Sequence, residues 1–203
     1  MGTWNEHAFP HLPVTVYTEG LGGAEQRLRE GSARLGLYTP RAIREADLTT
    51  EFMASITMVP VAAAGHPLSI IRRPITRGDL EEQLQLVLID RTQITAGFSG
   101  GIISNRIWRF ADLSTRLEFL LGGFGWCNMP LHLVQPHISN GVLKQLKLKD
   151  DGPWSLPIHV VHETNRPPGR AGRWLLEDLR KKLTSCPRES FDGARATKKR
   201  RTK

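Results

Sequence analysis

The side chains that could catalyse a reaction or bind a metal ion are scattered along this sequence. Its seven histidines form no ligand cluster, and His159 and His162 are three residues apart in a predicted strand, which places them on opposite faces. Ser99 does not have the flanking pattern of a nucleophilic serine on a strand-to-helix turn. No glycine-rich loop with its lysine is present for phosphate binding. The sequence therefore predicts no enzyme, no metal site and no cofactor.

Five other side chains stand at positions where predicted strands end or helices begin. They are Thr18, Arg91, Thr92, Asp112 and Trp126. The carboxyl ends of strands and the amino ends of helices bind ligands in α/β folds, because unpaired backbone N–H groups point outward there. We therefore treat these five residues as candidates for a ligand-binding site.

The first three candidates favour an anionic ligand. Thr18 follows the predicted strand Pro13–Tyr17, so its hydroxyl and the following backbone N–H groups could hold an anion, with an ordinary helix N-cap as the alternative. Arg91 and Thr92 follow a buried strand, where an arginine could bind a carboxylate through two parallel hydrogen bonds. A local ion pair of Arg91 with Asp90 is the alternative.

The last two candidates are compatible with plain structural functions. Asp112 stands at a helix amino end, where it would cap the helix and bring negative charge to the cleft. Trp126 follows Gly125 near the end of a strand and could form an apolar cleft wall, but it could equally be a core residue. We assign no chemistry to either residue.

Short strands and helices alternate along the chain. Strands are predicted at 13–17, 35–37, 55–64, 86–89, 124–127, 142–148 and 156–163 and near Ile107, and helices at 24–30 and after Thr76, Asp112, Pro130 and Pro167 or Pro168. This alternation predicts helices packed on mostly parallel sheets. Because the extended segment 55–64 divides the pattern, we predict two α/β lobes joined by crossing strands, with a ligand cleft between them.

The net charge of +8 does not indicate a nucleic-acid-binding face. Residues 165–203 contain 13 Lys and Arg against 4 Asp and Glu, which leaves 15 basic and 16 acidic side chains in residues 1–164. The predicted globular part is therefore nearly neutral, whereas a folded nucleic-acid interface needs an excess of basic residues. The C-terminal basic run is typical of a solvated, frayed end.

The sequence also predicts a cytoplasmic protein. Charged residues or glycine interrupt every apolar run before it reaches the roughly 18 residues of a membrane span. The N-terminus has Glu6 and His7 where an export signal would have basic and then apolar residues. Cys127 and Cys186 provide neither a disulfide framework nor a metal-ligand cluster.

Five segments occur in an order and at a spacing that are typical of one protein family. They are Leu28–Tyr38, Met58–Ser69, Leu86–Thr92, Gly123–Val134 and Arg166–Leu183. Together they resemble the effector-binding domain of LysR-type transcriptional regulators, over His11–Leu183. The resemblance implies a two-lobed fold like that of type II periplasmic binding proteins, with two hinge strands and a small-molecule effector in the cleft.

The resemblance also implies partners. Family members form homodimers or tetramers in which a helix and strand of one lobe pack antiparallel against the other lobe of the partner, and a winged helix-turn-helix domain contacts DNA. Only twelve residues precede the segment matching Pro13–Tyr17, so we expect that DNA-binding domain, and the first strand of the first lobe, to be missing. An empty strand position would favour pairing with another chain.

These observations predict one effector-binding domain and a tail. The domain spans 1–183, and 184–203 form a disordered basic tail. Within the domain, lobe I comprises 12–57 and 164–183, and lobe II comprises 66–154. The hinge strands that join the lobes are 58–65 and 155–163. The predicted function is effector sensing and dimerisation. Two alternatives stay open: a stand-alone solute-binding protein and a degenerate remnant that binds nothing.

Overall fold

The computed structural model describes residues 9–20, 22–40, 45–89, 92 and 101–185, which form a mixed α/β structure. The helices are α1 (Gly23–Arg29), α2 (Pro67–Ile70), α3 (Arg77–Glu81), α4 (Leu113–Leu121), α5 (Leu131–Ser139) and α6 (Arg170–Ser185). The strands are β1 (Gly36–Tyr38), β2 (Leu48–Ala63), β3 (Gln85–Leu88), β4 (Ile107–Phe110), β5 (Trp126–Pro130), β6 (Leu143–Gln145) and β7 (Trp154–Glu163).

One sheet runs through both lobes. Its strand order is β1, β7, β2, β5, β3, β4, and β6 pairs with β2 beside β5. The 16-residue strand β2 pairs with β7 from Leu48 to Met58 and with β5 and β6 from Met58 to Ala63. Strand β2 therefore passes from lobe I into lobe II near Met58, and β7 returns beside it.

Strand direction differs between the two ends of the sheet. Strand β3 is parallel to β4 and β5, as the alternation of strands and helices predicts. All described pairings of β2 and of β7 are antiparallel. Of the described strands, the mostly parallel arrangement predicted from the sequence is therefore found only among β3, β4 and β5. The crossing strands β2 and β7 run in opposite directions, so the pairings that they form are antiparallel.

The predicted strand Pro13–Tyr17 is wrong. Residues 12–18 have no strand assignment and are exposed, and Val16 retains 82% of its accessible surface. A strand requires a hydrogen-bonded neighbour, and among the described residues none pairs with this segment. Among the described strands, β1 pairs with β7 alone, so the segment 13–17 adds no strand to this end of the sheet.

The apolar cores of the two lobes differ in size. Lobe II contains one cluster of ten buried residues, centred on Val59, Leu120 and Met129, and a second cluster of six that includes Trp126. Lobe I has a cluster of four, Leu28, Tyr38, Leu48 and Val161. Because buried apolar area supplies most of the folding free energy, lobe II is the better stabilised part of the described structure.

Local signals set the helix boundaries as predicted. Thr76 caps α3 and forms a reciprocal capping box with Asp79, and Asp112 caps α4. Helix α6 continues to Ser185, into the predicted tail, whose residues 186–203 lie outside the described structure. In the described part of the chain, no helix is both long and apolar enough to span a membrane.

Candidate functional site

The carboxyl ends of three strands of lobe II lie at one edge of the sheet. Gln85 of β3 pairs in register with Ile107 of β4 and with Trp126 of β5, and all three strands are parallel. This register places the ends of β3, β4 and β5 at the same level. Backbone groups beyond Leu88, Phe110 and Met129 therefore face the same space, as expected for a binding edge of an α/β sheet.

Gly20 of lobe I lies against this edge. A Cβ atom at position 20 would be 3.2 Å from the carbonyl oxygen of Ile89 and 3.2 Å from that of Ala111. These residues directly follow β3 and β4, so the turn after the exposed segment meets the strand ends of lobe II. A side chain larger than hydrogen would require the turn or the two strand ends to shift by a few tenths of an ångström. Two predicted site residues are close to this junction in sequence, since Thr18 precedes Gly20 by two residues and Asp112 directly follows Ala111.

Side-chain contacts tie the Gly20 turn to α1. Glu19 accepts a hydrogen bond from Arg27 Nε at 2.7 Å, and the Arg27 guanidinium lies 4.4 Å from the centre of the Tyr17 ring. The N–H of Gly23 donates to the Gly20 carbonyl at 2.9 Å. Helix α1 therefore moves with the turn that contacts lobe II.

Thr18 does not cap α1. The N-cap of that helix is Gly22, which makes no side-chain capping bond, and Thr18 is exposed two residues before Gly20. The N-cap alternative for Thr18 is therefore wrong, because the helix starts five residues after it. Its function as an effector ligand stays a prediction.

Asp112 makes both contacts expected of a helix cap. Its Oδ1 accepts from the Thr115 backbone N–H at 2.7 Å, and its Oδ2 accepts from the Thr115 hydroxyl at 2.8 Å. Both carboxylate oxygens are thus occupied by the first turn of α4. The structure confirms the capping function, and contact with an effector stays a prediction.

The predicted pair Arg91 and Thr92 is partly outside the described residues. Thr92 is half-buried and lies three residues after Ile89. Arg91, like Asp90, lies outside the described part of the chain, so the carboxylate-binding function of Arg91 stays a prediction.

Trp126 is a core residue. Its side chain is fully buried in the second cluster of lobe II, among Ala62, Leu68 and Leu80. The indole Nε1–H donates to the Ser104 hydroxyl at 3.1 Å, and that hydroxyl donates to the Leu80 carbonyl at 2.6 Å. Trp126 lies at the amino end of β5, away from the binding edge, so the structure favours the core alternative over the cleft wall.

The sequence analysis missed Arg116, a charged residue inside lobe II. It lies on α4, one turn after Asp112, and 7% of its surface is accessible. Its Nη2 donates to the Asn128 carbonyl oxygen at 3.0 Å and lies 3.3 Å from Met129 Sδ, whereas its Nε has no partner. The sequence does indicate that Arg116 is buried, because its helical spacing from Leu113 and Leu120 places it on the apolar face of α4.

Two surface depressions of lobe I lie elsewhere. One, of about 230 Å³, is beneath α6 and contains the 2.6 Å ion pair between Arg180 and Glu51. The other, of about 480 Å³, is lined by Arg29, Asp47 and neighbouring residues. Neither contains a predicted site residue. Among the described residues, no group of three or more His, Cys, Asp or Glu side chains could hold a metal ion.

Comparisons with known proteins define the class. The family model of the LysR substrate binding domain matches residues 6–184. The regulatory domain of the LysR family regulator MetR (NMB2055) from N. meningitidis is similar with a TM-score of 0.68 and 14% identity, covering 90% of this chain and 85% of that one. The regulatory domain of CcmR from Synechocystis PCC6803, solved with 2-PG, also has a TM-score of 0.68, at 15% identity over 88% and 86%.

The fold is that of LysR regulatory domains, which is related to the fold of periplasmic binding proteins, and this confirms the predicted fold class. The chain belongs to the LysR substrate-binding domain family. A curated relative, the uncharacterized HTH-type transcriptional regulator YeeY of Escherichia coli K12, is 26% identical over 134 residues, or 63% of this chain and 42% of its own length. The chain thus spans less than half of that relative.

Proposed function

We propose that this chain senses a small-molecule effector in the cleft between its lobes and so acts in transcription regulation. The observation that carries the proposal is the contact of Gly20 with the carbonyls of Ile89 and Ala111. It joins a turn of lobe I to two strand ends of lobe II at the edge where ligands of α/β folds bind. Membership of the LysR substrate-binding family supports it, as does the 2-PG complex of the CcmR neighbour.

A ligand at this junction would contact both lobes. Strands β2 and β7 connect the lobes, so an effector that bridges Thr18 and Thr92 would favour one relative orientation. A ligand shifts such an equilibrium by its difference in affinity for the two states. In a regulator that also carries a DNA-binding domain, this shift would reposition that domain on DNA. We therefore propose that the protein acts in the cytoplasm, where bacterial DNA is found.

A thermal-shift screen of amino acids, aromatic acids and neutral metabolites tests the proposal. A ligand at 100 times its Kd adds about 2.7 kcal/mol to the free energy of unfolding. For the best ligand, Thr18→Val should weaken binding about fivefold, since one hydrogen bond contributes about 1 kcal/mol. Thr15→Val, in the same exposed segment, is the matched control. No stabilisation by any compound would contradict the proposal.

We further propose that the chain forms an antiparallel homodimer. Lobe I exposes Val14, Val16 and Tyr17 in an extended segment without a strand partner. Lobe II exposes Trp108 and Phe124, whose ring centres are 5.7 Å apart beside the edge strand β4. Two apolar surfaces on opposite lobes would both be covered if each protomer placed its extended segment along β4 of its partner.

Sedimentation equilibrium at micromolar concentration tests the dimer. Val16→Asp and Trp108→Asp should each produce monomers, because a charge would be buried in the apolar contact. Ile70→Asp is the control, since Ile70 is 68% exposed outside both surfaces. A wild-type monomer, or dimers of both charged variants, would exclude this arrangement.

A further inference from the structure

Arg116 is a buried cation that has no anionic partner among the described residues. Its guanidinium makes one backbone hydrogen bond and one sulfur contact, and its Nε–H has none. No carboxylate of the described residues forms an ion pair with it. Arginine keeps its charge inside proteins, and a buried charge that lacks a counter-ion is strongly unfavourable. The site therefore lacks an anion.

The neighbouring thiol does not supply that anion. Cys127 is fully buried beside Arg116. Burial raises the pKa of Cys127 to about 11 although the guanidinium opposes the shift, so the thiol is neutral near pH 7. Among the described residues, no group therefore supplies an anion to Arg116.

The guanidinium lies at the binding edge of lobe II. Arg116 is one turn from the amino end of α4, and side chains of a helix lean toward that end. Its Nη2 bonds to Asn128, two residues before the end of β5. The ends of β3 and β4, which Gly20 contacts, are at the same level of the sheet. The cation thus lies beneath the floor of the proposed cleft.

We propose that Arg116 is the counter-ion for a carboxylate of the effector, bound at the cleft floor between the first turn of α4 and the carboxyl end of β5. The assignment rests on the proposed function, because it concerns the same cleft. It specifies the ligand as a small carboxylic acid in its ionised form. The carboxylate of the ligand would offset the positive charge of the buried guanidinium.

The test compares carboxylates with uncharged molecules of the same shape. Acetate and benzoate, and acetamide and benzamide as their neutral counterparts, are titrated against wild type, Arg116→Met, Arg116→Lys and Arg72→Met by thermal shift and calorimetry. Arg72 is an exposed arginine of the same lobe and provides the matched control.

We expect the carboxylates, and not the amides, to stabilise wild type and Arg72→Met. In Arg116→Met the Kd for carboxylates should rise at least about tenfold, since hydrogen bonds to charged groups are the stronger ones, and Arg116→Lys should be intermediate. Without ligand, Arg116→Met should melt at or above the wild-type temperature, because an unpaired buried charge is removed.

Several results would overturn the assignment, and the first three concern the response to carboxylates and the Arg116→Met variant. They are equal responses to carboxylates and amides, unchanged carboxylate affinity in Arg116→Met, and a ligand-free Arg116→Met that is less stable than wild type, which would make Arg116 structural. A wild type that binds neutral compounds and no carboxylate would overturn the assignment and leave the proposed function intact. A wild type that binds none of the four probes would overturn the assignment, and a wild type that also binds nothing in the wider metabolite screen would overturn both.

Discussion

The indole N–H of Trp126 donates a hydrogen bond to the hydroxyl of Ser104 at 3.1 Å, with both side chains buried. This bond ties the loop before β4 to the first residue of β5. Trp126→Phe should lower the free energy of unfolding by about 2 kcal/mol, through the lost bond and the space left by the smaller ring. Urea denaturation measures it. Trp154→Phe, at a half-exposed position, should change stability by less than about 0.5 kcal/mol.

Gly20→Ala should separate the lobes. The added methyl group would lie 3.2 Å from two backbone carbonyl oxygens, which cannot rotate away as a side chain would. We expect a loss of about 1 kcal/mol in stability and a larger radius of gyration by X-ray scattering. Gly65→Ala is the control, because no atom lies within 4 Å of a Cβ there. Identical scattering from all three proteins would show that the lobes do not meet at Gly20.

Asp112→Ala should lower the free energy of unfolding by about 1 kcal/mol, the usual contribution of an N-cap. Asp112→Asn should retain most of that stability, since asparagine caps helices equally well. Thermal denaturation distinguishes the two, and Asp150→Ala, in an exposed loop, controls for the loss of one negative charge. Equal destabilisation by both Asp112 variants would point to the charge rather than to the cap.

The stability of lobe II should depend on the protonation of His66. This buried residue caps α2, and its Nδ1 accepts a hydrogen bond from the Leu68 N–H at 3.2 Å. Burial lowers the pKa of His66 in the folded state. The unfolded state therefore takes up the proton first, so the contribution of His66 is present above about pH 6.5 and is lost as the pH falls through the lower folded-state pKa.

Urea denaturation between pH 5 and pH 8 measures this dependence. His66→Asn keeps a capping oxygen without a titrating group, so its stability should vary less with pH. His132→Asn, at an exposed position of α5, should behave as the wild type. A pH profile that is the same for His66→Asn and wild type would assign the effect to another group.

Features that depend on neighbouring residues in sequence could be predicted. The caps at Thr76 and Asp112 follow from a side chain and a backbone N–H three residues apart, and the structure confirms them. The prediction of a strand at Pro13–Tyr17 was wrong. Alternating apolar residues favour a strand, but a strand forms only where a neighbouring strand can pair with it. Sequence spacing could not decide between core and cleft for Trp126, since both sites favour a large ring.

Predicting that Arg116 is buried without an ion pair required knowledge of what packs against α4. A charged residue between Leu113 and Leu117 suggests a solvated position if each residue is considered alone. Its spacing from Leu120 places it on the buried face, which a helical projection would have shown. The absence of a partner carboxylate depends on the tertiary structure, so no pattern in the sequence could reveal it.

Strand β2 belongs to both lobes without interruption. Ten of its first eleven residues pair with β7, with a register shift between Phe52 and Ala54, and its last six pair with β5 or β6, with Met58 shared. Rotation of one lobe against the other must therefore twist a hydrogen-bonded strand, so the strand resists that rotation elastically, unlike a flexible loop. The same continuity makes independent melting of the lobes unfavourable, so amide exchange along β2 should report a single cooperative opening of the molecule.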